Sequence, residues 1–100
     1  MWREAIERDQ QRVAAHKARW NAADAAGRKT MRTYRYALQR RIKWTMDYHE
    51  WQYETWNDRN TGKYDALEQA VNTAAAAEHH EACKAYETML RALGWVGSML

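Results

Sequence analysis

The residues of this chain best suited to chemistry lie in one short run, Glu78-His79-His80-Glu81-Ala82-Cys83. On a helix His79 and Cys83 stand four apart and His80 and Cys83 three apart, so either pair has the spacing to chelate one metal ion. A structural zinc needs four ligands, and the other nitrogen donors, His16 and His49, lie elsewhere in the chain. Counting back from turns near Gly27 and Gly62, His16 falls level with about residue 38 of the middle helix and His79 with about residue 43. These levels and that of His49 itself differ by ~8 to 16 Å, too far to share an ion whose bonds are ~2 Å long. The run reads as a polar helix face beside a partly buried thiol, and no metal or other cofactor is expected. His16 and His49 each sit within an apolar stripe, the place of a hydrogen-bonded boundary residue. Ser98 is the only serine, and no phosphate-cradling glycine loop, GxSxG, HExxH or CxxC pattern occurs. No catalytic residue is assigned, and a non-enzymatic role is expected.

The elements that must position any site are helical. There is no proline, and the four glycines stand at 27, 62, 94 and 97. They separate blocks rich in Ala, Arg, Glu, Gln and Leu, good helix formers in which a proline would cost about 3 kcal/mol. Trp2, Ile6, Val13 and Trp20 line one face of the first block, with Asp9, His16 and Ala23 filling the remaining turns. The second carries Met31, Tyr34, Leu38, Ile42, Met46, His49, Tyr53 and Trp56. The third carries Tyr64, Leu67, Val71, Ala74, Ala75, Ala82, Ala85, Tyr86, Met89 and Leu93. These periodicities predict helices over about 2–26, 29–59 and 63–93, with a glycine C-cap at Gly27, a candidate N-cap at Thr30 unless Arg28 and Lys29 are already helical, and a second glycine cap at Gly94. Short turns make successive helices antiparallel, so the expected fold is a single all-α domain over 1–100. It is an up-down-up three-helix bundle, with dimerisation as a second way to complete its core. The apolar tail 95–100 is expected to fold back onto the bundle.

The alternating charge of Met1–Arg8 is unlike a signal peptide, and the longest uncharged runs, 69–77 and 92–100, fall short of the ~20 residues of a membrane span. One cysteine, Cys83, fits a reducing compartment. A cytoplasmic protein without membrane association is expected.

Helix two has a second face. Opposite its core stripe lie Lys29, Tyr36, Arg40, Trp44, Trp51 and Asp58, with Lys43, Asp47, Tyr48 and Glu54 at the margins. From Arg28 to Lys43 there are seven basic residues and no acid; from Asp47 to Asp58 there are four acids and no base. That order opposes the helix dipole, which favours acids at the N-terminus. Three readings follow. Trp44, Tyr48 and Trp51 pack in a second groove inside the fold. Or Tyr36, Arg40, Lys43, Trp44, Asp47 and Trp51 form a protein-binding surface with aromatic anchors, one version of which is a self-complementary antiparallel homodimer. Or Arg28, Lys29, Arg32, Arg35, Arg40, Arg41 and Lys43 bind nucleic acid, with Tyr36 or Trp44 stacking on bases.

In size and build the chain is similar to small mobile-element proteins such as anti-CRISPR and other phage-encoded host-takeover inhibitors. The resemblance rests on no motif. It implies a compact inhibitor or adaptor that occludes a partner's working surface through helix two.

Overall fold

The computed structural model describes residues 2–59 and 64–95. They form three helices, α1 (Arg3–Ala22), α2 (Ala25–Arg59) and α3 (Ala66–Ala92), in up-down-up order. The expected all-α bundle is present, but three of its helix ends differ.

Helix α1 stops at Ala22, and Gly27 is not its cap but lies in the first turn of α2. Ala23 is extended (φ −86°, ψ 149°), and the Asp24 carboxylate accepts the Gly27 N–H at 2.8 Å. An aspartate satisfying a free amide at a helix start prevails over a glycine that merely permits an ending. A Cβ on Gly27 would stand 3.1 Å from the Ala23 methyl and 3.3 Å from Asp24 Oδ1, so the missing side chain lets this bend close. Thr30 is inside the helix, its hydroxyl donating back to the Gly27 carbonyl at 2.7 Å, and caps nothing. Helix α3 starts at Ala66 rather than 63, because Asp65 accepts the Glu68 N–H at 2.8 Å. Gly94, at φ 73°, ends α3 as its cap. The turn at Gly62 and the tail beyond Trp95 lie outside the described residues; Trp95 itself packs against the core.

That core is Val13 from α1, Leu38, Ile42 and Met46 from α2, and Tyr86, Met89, Leu90 and Leu93 around α3. Helices α2 and α3 form a long hairpin, and α1 covers only part of it. Trp2 of α1 meets Tyr48 and His49 of α2 and His79 of α3. The α2 segment 50–59 and the α3 segment 66–78 continue past that level. The expected stripe of α3 fails there: Leu67 is 75% exposed and Val71 56%, while Asn72, Ala76 and His79 are buried. Leu67 and Val71 continue, in steps of three and four, the positions of Ala85 and Met89, which line a groove with Val13 of α1. They lie exposed because α1 ends before reaching them. The result is a flat rod of 60 × 28 × 14 Å, with a radius of gyration of 17.1 Å against ~13 Å for a globule of this length.

Candidate interaction surface

The histidines come together differently from the levels counted along the sequence. His49 and His79 touch, Nδ1 to Nδ1 at 2.9 Å, where the counted levels set them ~9 Å apart. The count sets His79 level with about residue 43, whereas it stands beside His49, about six residues further along α2. Both rings are buried, stacked or edge-on to Trp2, Tyr48 and Tyr86. One imidazole donates through Nδ1 and the other accepts, so at least one of the two rings is neutral. Burial, then the neighbouring His79, lowers the His49 pKa to about 4, and burial lowers that of His79. His80 is apart, against the Tyr53 ring at 4.7 Å. Cys83 is half-buried, and desolvation followed by Glu50, Glu87 and Asp47 pushes its thiol pKa up, away from a reactive thiolate. Among the described residues no group of three or more His, Cys, Asp and Glu side chains is placed to hold a metal. Among them, too, no helix is long and apolar enough to cross a membrane.

The basic residues of α2 divide into two sets. Arg35 turns inward: Nη2 donates to the Leu93 carbonyl at 2.6 Å, Nη1 meets His16 Nε2 at 3.2 Å, and the guanidinium lies 4.4 Å from the Trp20 ring. Because arginine only donates, His16 accepts through Nε2 and carries its proton on Nδ1, a buried atom without a partner. Burial, then Arg35 and Arg19, lowers the His16 pKa. Arg28 donates to the Trp20 carbonyl at 3.0 Å. These two arginines bind α1 to the hairpin. Arg41 lies 4.0 Å from Asp9, and Lys43 is paired with Asp47 one turn on. Lys29, Arg32 and Arg40 are exposed.

The outer face of α2 holds the aromatic residues. Trp44 is 65% exposed, Trp51 59% and Tyr36 55%. Arg40 bridges two of them, donating to the Tyr36 hydroxyl at 3.1 Å with its guanidinium 5.1 Å from the Trp44 ring. Packing in a second groove inside the fold therefore does not account for Trp44 or Trp51. Tyr48, also exposed, leans on Trp2 at 5.9 Å. Six side chains singled out on this face, Tyr36, Arg40, Lys43, Trp44, Asp47 and Trp51, thus share one surface of one helix. Sequence reasoning missed the groove on the opposite side of the hairpin from α1, about 790 Å³, floored by Met46, Cys83 and Leu90 and rimmed by Glu50, Glu54 and Glu87. Its residues come from two helices in a register that only the tertiary fold sets.

No family model, curated protein or solved structure matches this chain.

Proposed function

We propose that this protein is a non-enzymatic binding protein that engages another protein through the outer face of α2, occluding the surface it covers. The observation that carries the reading is the exposure of Trp44, Trp51 and Tyr36 on one helix face, with Arg40 held between two of the rings. Large aromatic side chains and arginine are the residues that dominate binding energy at protein interfaces. A small inhibitor or adaptor of the mobile-element type would use such a face.

The test is the double variant Trp44→Ala/Trp51→Ala. At ~1 µM chain it should keep its helical circular dichroism and melt within the ±0.5 kcal/mol usual for surface changes. Intermolecular association by the wild-type chain should be lost. A fall of several kcal/mol at that dilution would place the tryptophans in the core and remove the reading.

A second reading rests on charge. Residues 12–43 carry ten basic groups and one acid, and α1 lies along this part of α2. Under it, the chain binds RNA or DNA at low salt, affinity falls steeply with added salt, and neutralising Arg32 and Arg40 weakens binding without unfolding the protein. Absence of binding at ~50 mM salt excludes it.

A further inference from the structure

We infer that the first occupant of the α2 outer face is a second copy of this chain, docked antiparallel about a two-fold axis level with residues 47 and 48. This rests on the reading of that face as an interface, and adds the identity and direction of the partner.

The residue pattern of this face is itself two-fold. Trp44 and Trp51 stand at equal distances on either side of the midpoint between Asp47 and Tyr48. A two-fold axis there sets Trp44 of one copy against Trp51 of the other, twice. The same operation carries Arg41 to the level of Glu54 in the second copy, with Arg40 one residue beyond, and Tyr36 to within one residue of Asp58. In the helix these residues are not at random azimuths. Positions 36, 40, 44, 47, 51, 54 and 58 follow one another by three or four, so aromatic centre and charged flanks share one strip.

The whole rod repeats that polarity. Segments 50–59 and 64–78, the end that α1 leaves uncovered, hold six acidic residues against one basic residue, Arg59. Segment 12–43, at the other end, is almost purely basic. Side by side in parallel, two copies would set like charge against like. Antiparallel, each basic end meets an acidic end and the contact closes on itself, as an isologous interface must. The order of charge along α2 opposes its own dipole; Arg28 and Arg35 are used inside the chain, whereas Arg40 and Glu54 are exposed. Across a dimer that order becomes the source of register. Exposed tryptophans at the centre with complementary charge around them follow the usual anatomy of an interface.

The experiment is sedimentation velocity on the full chain at 1–100 µM, with four proteins: wild type, Arg40→Glu, Glu54→Arg, and the two changes combined. Circular dichroism checks that each is helical. Wild type is expected to sediment as a dimer at tens of micromolar in ~50 mM salt, with dissociation promoted about tenfold by ~0.5 M salt. Each single reversal enters the symmetric contact twice, and is expected to weaken dimerisation by on the order of 100-fold. The combined variant restores opposite charges across the axis and is expected to recover the dimer. A wild type that stays monomeric at 100 µM overturns the inference, as does a dimer indifferent to the single reversals or a combined variant that remains monomeric. Mass that keeps growing with concentration overturns it too, since an open filament is not an isologous pair. If wild type is monomeric while the tryptophan variant still melts normally at ~1 µM, only the second copy is excluded and the face remains open to a different protein. If the tryptophan variant unfolds, the surface reading itself has failed.

Discussion

Asp9→Ala is expected to destabilise the protein by about 2–4 kcal/mol, lowering its melting temperature by on the order of 10–25 °C. Asp9 is a buried carboxylate in the middle of α1. Its Oδ2 accepts the hydroxyl of buried Tyr86 on α3 at 2.5 Å, its Oδ1 accepts from Arg12 at 3.1 Å, and Arg41 of α2 stands 4.0 Å away. One side chain therefore joins all three helices. Burial, and then the hydrogen bond to Asp9, raises the Tyr86 pKa, which keeps the phenol a donor throughout the accessible range. Removing the carboxylate leaves that hydroxyl buried without its acceptor. Tyr86→Phe does the converse, leaving a buried charge short of a donor, and should cost a comparable amount. The double variant should lose less than the sum of the two, since each single change already breaks the shared bond. Thermal melts of the four proteins measure this. An Asp9→Ala protein melting within ~2 °C of wild type would show that the link carries no stability.

Acid is the second large perturbation. His49 has its pKa lowered to about 4 in the fold, against 6.5 for the free side chain, and those of His16 and His79 are lowered too. The unfolded chain then takes up protons before the folded one does. Stability is fully present above pH ~6.5, and falls as pH drops from there through about 4. At ~1.4 kcal/mol per unit of pKa difference, His49 alone accounts for a loss on the order of 3 kcal/mol. Physically, the His49–His79 hydrogen bond needs one ring to accept, and protonation of the pair abolishes the acceptor. Glu78 pulls the other way, favouring the charged form of both rings, but burial outweighs it. Denaturant melts at pH 7.5 and 4.5 read this out. The variant His49→Leu/His79→Leu replaces the pair by apolar side chains and should show a flatter profile over the same window. A wild type equally stable at both pH values would remove the account, and so would an unchanged slope in the variant.

The two anchors differ in how well they can be seen from the chain. Asp9 and His49 were legible as polar members of apolar stripes, because a stripe position says that a residue is turned inward. Their partners were not. Asp9 meets Tyr86 across 77 positions, and nothing local distinguishes that pairing from any other of the same face. His49 meets His79 in a register that packing between α2 and α3 sets, and a count of residues from Gly62 does not contain it. The same misplaced count spread the histidines along the bundle.

Local chemistry accounts for what sequence by itself determined: three helices without proline, their core-facing stripes, the cap at Gly94, and the second, aromatic face of α2 with its switch from basic to acidic. Each depends on residues three or four apart, and helical periodicity alone brings those together. The Asp24 cap is local as well, three residues from the Gly27 amide it accepts, and a capping carboxylate satisfies an amide that a glycine cannot. Tertiary structure decided where the helices stop competing and start sharing. The short α1 left Leu67 and Val71 uncovered, although their spacing marked them as core. Arg35 was drawn inward to the Leu93 carbonyl and His16, while Arg40, five residues on, stayed with the exposed rings. Burial is a property of what lies opposite, and a single helix does not contain its neighbour.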